Sequence, residues 1–334
     1  MKNKIKKTGI LSVLACLLVL LASCSKNYKN EPQTIKIKLN EVTHSVFYAP
    51  QYVAMGLGFF QNEGLEVELF SAEGSDKTAM AILSSQADIG LLGASSVISA
   101  HQDGKDNLTL FAGLTQRDGS FLIGRTPEFS WDKLKNKKII AGRKGGVPKM
   151  MLEYILAQKG IIPQKDVFLI DNIQFNLMGV AFIRGVGDFV TLFEPTASNL
   201  VNNKDFYILA PLGKECEKTA YTCYCCLKSY SEKHPKTLKK FIKAIYKAQI
   251  WVSEHSAKEI ANVILPYFVD SDKELLIKCA ENYKEADVWC KNPLITTQEI
   301  TLMEEIMIKS NELENRVIPE KILNQAHAKT VVGI

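Results

Sequence analysis

The sequence predicts an α/β protein: two αβ lobes joined by a hinge and followed by a C-terminal helical segment. Three observations carry that reading. Strand-like and helix-like segments alternate from residue 34 to residue 227, an order that favours parallel strands covered on both faces. Two polar stretches that hold glycine, 115–119 and 213–219, divide the alternation, and the chain is expected to cross between lobes at the first and return at the second. From Pro235 onward long amphipathic helices take over. The expected division is 34–116 with 217–334 for lobe 1, and 117–216 for lobe 2.

Taken in order, 34–39 (TIKIKL) alternates apolar and polar residues as a half-buried strand does. Pro50 suits the first turn of a helix running to about Gln61. A strand at 65–70, a helix at 76–85, a strand at 87–92, a short helix at 95–101 and a strand at 108–114 follow, and this order argues for a mostly parallel sheet. In the second set, strands are expected at 121–124, 138–141, 166–170, 188–193 and 206–209, with helices at 149–158 and 176–183. The first of those helices spaces Met150, Met151, Tyr154 and Ile155 along one side and stops at Gly160. A further strand is expected at 221–227. The tail reads as helices at 235–254, 257–265, 272–288 and 296–309, with Leu238, Phe241, Ile242, Ile245 and Tyr246 at helical spacing in the first.

The N-terminus sets the compartment. Lys2, Lys4, Lys6 and Lys7 precede an apolar run from Ile10 to Ala22, and small residues close it at Leu21-Ala22-Ser23-Cys24. That is the layout of an export signal over residues 1–23. The run is 13 residues, short of the ~20 that span a bilayer. Cysteine directly after Leu-Ala-Ser resembles the lipobox of bacterial lipoproteins, which implies cleavage before Cys24 and diacylglycerol on its sulfur. Polar residues 24–33 then read as a flexible tether. Export of this kind weighs against chemistry that consumes a cytoplasmic cofactor.

Losing the four signal lysines takes the formal charge from +5 to +1, so nothing asks for nucleic acid. Apolar content of 46% and charged content of 23% are those of a globular chain. Beyond Cys16 and Cys24, six cysteines remain (Cys216, Cys223, Cys225, Cys226, Cys279 and Cys290); they allow 15 pairings, and the sequence selects none.

Longer motifs carry a family resemblance. Tyr48-Ala49-Pro50-Gln51-Tyr52-Val53-Ala54 leads to Gly58-Phe59-Phe60, then Glu63-Gly64-Leu65-Glu66-Val67-Glu68 and Gln86-Ala87-Asp88-Ile89-Gly90. With Gln116-Arg117-Asp118-Gly119-Ser120-Phe121-Leu122, Gly145-Gly146-Val147-Pro148, Phe193-Glu194-Pro195-Thr196-Ala197-Ser198 and Trp251-Val252-Ser253-Glu254-His255-Ser256, they cover nearly the whole mature chain. The chain resembles the substrate-binding proteins of ABC importers for nitrate, sulfonates and thiamine precursors, whose fold the fungal thiamine pyrimidine synthase shares. The resemblance implies a type II periplasmic-binding-protein-like fold that closes on a small molecule. It also implies an ABC permease with its ATPase as partner, a monomer, a membrane reached only through the lipid, and no cofactor.

Ligands of open α/β sheets sit beyond the carboxyl ends of strands, at helix starts. On that rule the candidate ligand-binding residues are His44, Ser45 and Tyr48 after the first strand, Ser95 after the third, Gly145 and Gly146 before the Met150 helix, Asn176, and Glu194. Phe47 and Tyr48 supply aromatic faces, whose bland alternative is packing of the helix start. Ser95 and Asn176 suit helix caps as well as ligand contacts. Glycines at 145 and 146 let backbone N–H groups approach a ligand, although the Gly-Lys-Ser/Thr ending of a P-loop is absent. A carboxylate at Glu194 can accept two parallel bonds from an amidine-like edge, as in an aminopyrimidine, and this favours a nitrogen heterocycle over nitrate or sulfonate; the alternative is capping of the helix at Pro195.

The rival reading is an iron-dependent enzyme related to the pyrimidine synthase, using Cys223, Cys225 and Cys226 as metal ligands. The resemblance carries a cysteine-rich run in this region, but the run Thr222-Cys223-Tyr224-Cys225-Cys226 holds one cysteine fewer than that enzyme's. Such a strand cannot surround a metal without further ligands. A sensory ligand-binding module is a third reading, although nothing after residue 290 resembles an output domain. Neither a GxSxG elbow nor an HExxH helix occurs.

Overall fold

A computed structural model describes residues 34–334 apart from Lys204, and Ile35–Ile334 form one compact unit. The export signal, Cys24 and the tether lie outside the described residues. No described helix is long and apolar enough to cross a membrane.

The first sheet begins with β1 (Ile35–Glu41). After a 3-10 turn at Val46–Tyr48, α1 (Ala49–Gly56) and α2 (Phe59–Asn62) lead to β2 (Leu65–Ser71), α3 (Ser75–Leu83), β3 (Ile89–Gly93), α4 (Ala94–Gln102) and β4 (Leu108–Thr115). The chain then enters the second sheet with β5 (Phe121–Gly124), β6 (Lys138–Ile140), α5 (Val147–Gln158), β7 (Phe168–Ile170), α6 (Phe175–Ile183), β8 (Phe189–Leu192), α7 (Thr196–Asn203) and β9 (Tyr207–Pro211). It returns to the first with β10 (Thr222–Leu227) and finishes in helices α8 (Lys228–Lys233), α9 (Pro235–Glu254), α10 (Ala257–Ile264), α11 (Lys273–Glu285), α12 (Thr297–Lys309), α13 (Pro319–Ile322) and α14 (Ala326–Val332).

The sheets share one plan. Their strand orders are β2-β1-β3-β10-β4 and β7-β6-β8-β5-β9. In each, the second strand pairs in parallel with both neighbours (β1 with β2 and β3, β6 with β7 and β8), while the strand arriving from the other sheet pairs antiparallel on both sides. The expectation of a mostly parallel sheet is thus corrected: half of the pairings are antiparallel, because β10 and β5 enter from the opposite lobe rather than through a βαβ crossover. Fully buried β3 and β4 explain the continuous apolar runs seen in sequence.

Two helix expectations also change. The helix expected from Pro50 to Gln61 is two pieces, because Gly58 adopts a left-handed φ of 69° between them. The expected 272–288 helix is α11, capped by Asp272, whose carboxylate accepts from Leu275 N at 2.7 Å, and ended before Asp287, which sits at φ 51°. On α9 the expected apolar side is the buried one, with Leu238, Phe241, Ile242 and Ile245 all inaccessible to solvent. Capping boxes at Ser256/Glu259 and Thr296/Glu299 fix the starts of α10 and α12.

The two segments that run between the sheets press on each other. A Cβ on Gly213 would stand 2.3 Å from Asp118 O, and one on Gly119 would stand 2.3 Å from the Phe47 ring. These glycines are required for close approach. A third passage joins them: Gln116 N donates to Val288 O at 2.8 Å, Thr115 bridges Trp289, and Arg117 donates to Gly213 O at 3.0 Å while facing Asp287 at 3.6 Å.

Candidate functional site

A cavity of about 700 Å³ lies between the two lobes, within the range of small-molecule sites. Its walls are the segments that follow the carboxyl ends of β1, β2 and β3 in one sheet and of β6, β7 and β8 in the other, closed by Tyr221 and Thr222 at the start of β10. All eight residues singled out as ligand-binding line it: His44, Ser45, Tyr48, Ser95, Gly145, Gly146, Asn176 and Glu194. They differ in what their side chains are free to do.

Glu194 is 1% exposed, and its carboxylate is saturated. Oε2 accepts from Ser198 N at 2.8 Å and from Cys279 Sγ at 3.5 Å; Oε1 accepts from Ser198 Oγ at 2.8 Å and from Asn282 Nδ2 at 2.7 Å. Four donors use the four lone-pair positions of a carboxylate. The expected bidentate grip on an amidine-like edge is therefore corrected: the group caps the start of α7 and ties it to α11. Ser45 is committed in the same place, donating from Oγ to Glu194 O at 2.7 Å and accepting from Phe47 N at 3.2 Å. Glu194 N in turn donates to Tyr283 OH at 2.9 Å.

His44 is half in the cavity and half in a buried network that sequence reading did not find. Nε2 donates to Tyr267 O at 2.7 Å, and Nδ1 lies 3.1 Å from Glu41 Oε1 and 3.0 Å from Tyr52 OH. Tyr52 OH and Gln51 Nε2 both donate to Glu41 Oε2 at 2.8 Å, and Tyr224 OH donates to Gln51 Oε1 at 3.1 Å. The hydrogen bond to Glu41 raises the His44 pKa, which favours the imidazolium, while burial raises that of Glu41. Alternation along β1 turns Glu41 inward with Ile37 and Leu39, the one signal that could have marked it.

Tyr48 and Thr222 meet through their hydroxyls at the floor, where burial pushes the Tyr48 phenol up. Phe47, Tyr221 and Phe193 supply flat apolar faces; Phe47 packs edge-on to Tyr221 at 5.6 Å and tilted on Phe193 at 5.4 Å. The Ser95 hydroxyl, on a residue 5% exposed in the first turn of α4, makes no hydrogen bond among the described residues, and the residue lines the cavity.

Four helices start at this cavity: α3 after Gly74, α4 after Gly93, α5 after Gly146 and α6 after Gln174, and none of these N-caps receives a side-chain hydrogen bond. Their first N–H groups and the positive ends of their dipoles suit an acceptor or an anion. Gly145, at φ 72°, makes the turn into α5. At the mouth Arg143 of one lobe faces Asp76 of the other at 3.9 Å.

The cysteine run occupies β10 with all three thiols fully buried. Among the described residues no three His, Cys, Asp or Glu side chains come together as a metal would need. Burial pushes the thiols up, to about 12 for Cys226, away from the thiolate form that binds metal. The residues thus do not assemble the ligand set the rival enzyme reading requires.

Residues 46–259, more than half of the chain, match the family model described as NMT1/THI5 like. The chain belongs to the NMT1/THI5-like family. A Bacillus subtilis (strain 168) protein named as a binding protein, YtlA, is 42% identical over 320 residues, 95% of each chain. Among solved structures, the ligand-binding component of an ABC-type import system from Staphylococcus aureus superposes with a TM-score of 0.73 at 13% identity, over 89% of this chain and 99% of that one. The alkanesulfonate-binding protein SsuA from Xanthomonas axonopodis pv. citri does so with a TM-score of 0.71 at 14% identity, over 87% and 98%. The fold is that of two-lobed periplasmic binding proteins, and these relatives are named as binding proteins rather than enzymes. This member of the NMT1/THI5-like family is likewise a binding protein.

Proposed function

We propose that this chain is the extracytoplasmic solute-binding component of an ABC importer, anchored through lipid on Cys24, monomeric, and delivering its solute to a permease and ATPase. The observation that carries the proposal is the cavity between the lobes, where four uncapped helix starts converge on aromatic walls. The solute is a small flat heterocycle of the thiamine-precursor pyrimidine type, stacked among Phe47, Tyr48 and Phe193 with its ring acceptors toward the Ser95 hydroxyl and the start of α4. A sulfonate-type anion is the second reading. It is favoured by the same helix starts together with Arg143 and Lys144 at the mouth, and it gains weight because Glu194 is not free to select a cationic edge.

Mass spectrometry of the molecule that co-purifies, followed by thermal melts with pyrimidines, flavins, sulfonates and nitrate, tests this. A true ligand at a hundred times its dissociation constant stabilises by about 2.7 kcal/mol. Ser95→Ala is expected to weaken it roughly 5- to 10-fold, the worth of about one hydrogen bond. If no compound in the panel moves the melt and nothing co-purifies, the proposal fails.

A further inference from the structure

A second surface is built opposite in character to the cavity. Helix α9 carries Lys236, Lys239, Lys240, Lys243 and Lys247 at intervals that stack on one side, facing away from the buried Leu238, Phe241 and Ile245. From Lys228 to Lys247 there are seven lysines and a single acid, Glu232, in a chain whose mature charge is close to neutral. Lys243 and Lys247 share Glu63 at 2.9 Å. Among the described residues no ion pair engages Lys236, Lys239 or Lys240.

The place of this stripe is as informative as its charge. Ile35 N donates to Gly64 O at 3.0 Å where the chain enters β1, and Lys240 Nζ lies 3.5 Å from where a Cβ on Gly64 would stand. The stripe thus flanks the point at which the tether joins the folded unit. Ten residues separate that point from the expected lipid on Cys24, and a chain of that length reaches no further than about 35 Å. Strands β1 and β2 start beside the stripe and end at the cavity, so contact on this side leaves the cavity mouth clear.

We propose that the Lys236–Lys239–Lys240 side of α9 is a docking surface for anionic phospholipid headgroups, which holds lobe 1 against the membrane that carries the anchor. The inference rests on the anchored reading of Cys24 but not on the identity of the solute. Juxtamembrane lysines act additively on an anionic surface and are screened by salt, which gives a distinctive signature.

The test uses the chain from residue 25, which keeps the whole compact unit Ile35–Ile334 and its continuous core but no lipid. Co-sedimentation with vesicles of equal parts phosphatidylglycerol and phosphatidylcholine is expected, with little on phosphatidylcholine alone and progressive loss as salt rises. Lys236→Gln, Lys239→Gln and Lys240→Gln combined should lower vesicle affinity about a hundredfold, with the melting temperature and ligand shifts of the parent. Equal binding to both vesicle types, parental binding by the triple variant, or retention on duplex DNA without vesicle binding would each overturn the proposal. Fatty-acid labelling of the full chain reports separately on Cys24, so a failed anchor and a failed docking surface give different results.

Discussion

At the scale of single residues, Glu194 shows how a correct residue can hold a different job. Its position at the mouth of β8 was legible, because a carboxylate beside a proline after an apolar strand marks a strand end. Its partners were not, since Asn282 and Cys279 lie 88 and 85 residues further along. Glu194→Gln must turn an amide N–H toward donors that now meet a carboxylate. It is expected to lower stability by about 1–3 kcal/mol in denaturant titration, with solute affinity changed less than by Ser95→Ala. Asp118 is the converse, a buried acid in a motif that sequence comparison had flagged only as resemblance. Burial raises its pKa from 3.8 to about 6 although Ser120 N and Tyr221 OH both donate to it. The folded state therefore holds the proton more tightly than the unfolded one. The stabilisation is complete below 3.8 and is lost as pH rises toward 6, by about 3 kcal/mol in all. Asp118→Asn keeps a partner for both contacts and should flatten unfolding free energy across that window.

Elements were legible where periodicity was strong and local. The apolar strands of both sheets and the amphipathic α9 follow the sequence pattern, because burial on one side writes itself into spacing. Helix α7 was legible only as a start at Pro195, since TASNLVNN has few apolar residues to mark its length; the Glu194 carboxylate, four residues before Ser198, caps it. The antiparallel entry of β5 and β10 was missed for a different reason: strand direction is set by where the chain comes from, and an eleven-residue window does not contain that. The glycines of the crossing segments were legible as features, but the close approach that requires them was not. Gly213→Ala puts a methyl against backbone, with Asp118 O at 2.3 Å and Arg117 Cβ at 3.1 Å, so neither neighbour can swing aside as a flexible side chain would. A loss of roughly 1–3 kcal/mol is expected, read as a lowered denaturation midpoint.

For the molecule as a whole, two sheets of one plan face each other across the cavity, and the matching strand orders explain why an alternating sequence with two interruptions pointed to a bilobal protein. What sequence could not supply was the third passage at residues 287–290, which stitches the C-terminal helices to both crossings and so couples the tail to any movement between lobes. The cavity residues were legible as loops after strands. The Glu41–Tyr52–Gln51–Tyr224 network beneath His44 was not, because it gathers buried polar groups from three distant elements. The six free cysteines of the described residues, none more than 8% exposed, lend the molecule one more property. An alkylating reagent reaches none of these six until the fold gives way, so the rate at which iodoacetamide modifies them in the chain from residue 25 becomes a clock for global opening. Saturating solute should slow that clock in proportion to the affinity it contributes, which allows occupancy of the cavity to be read from sulfur chemistry that never touches it.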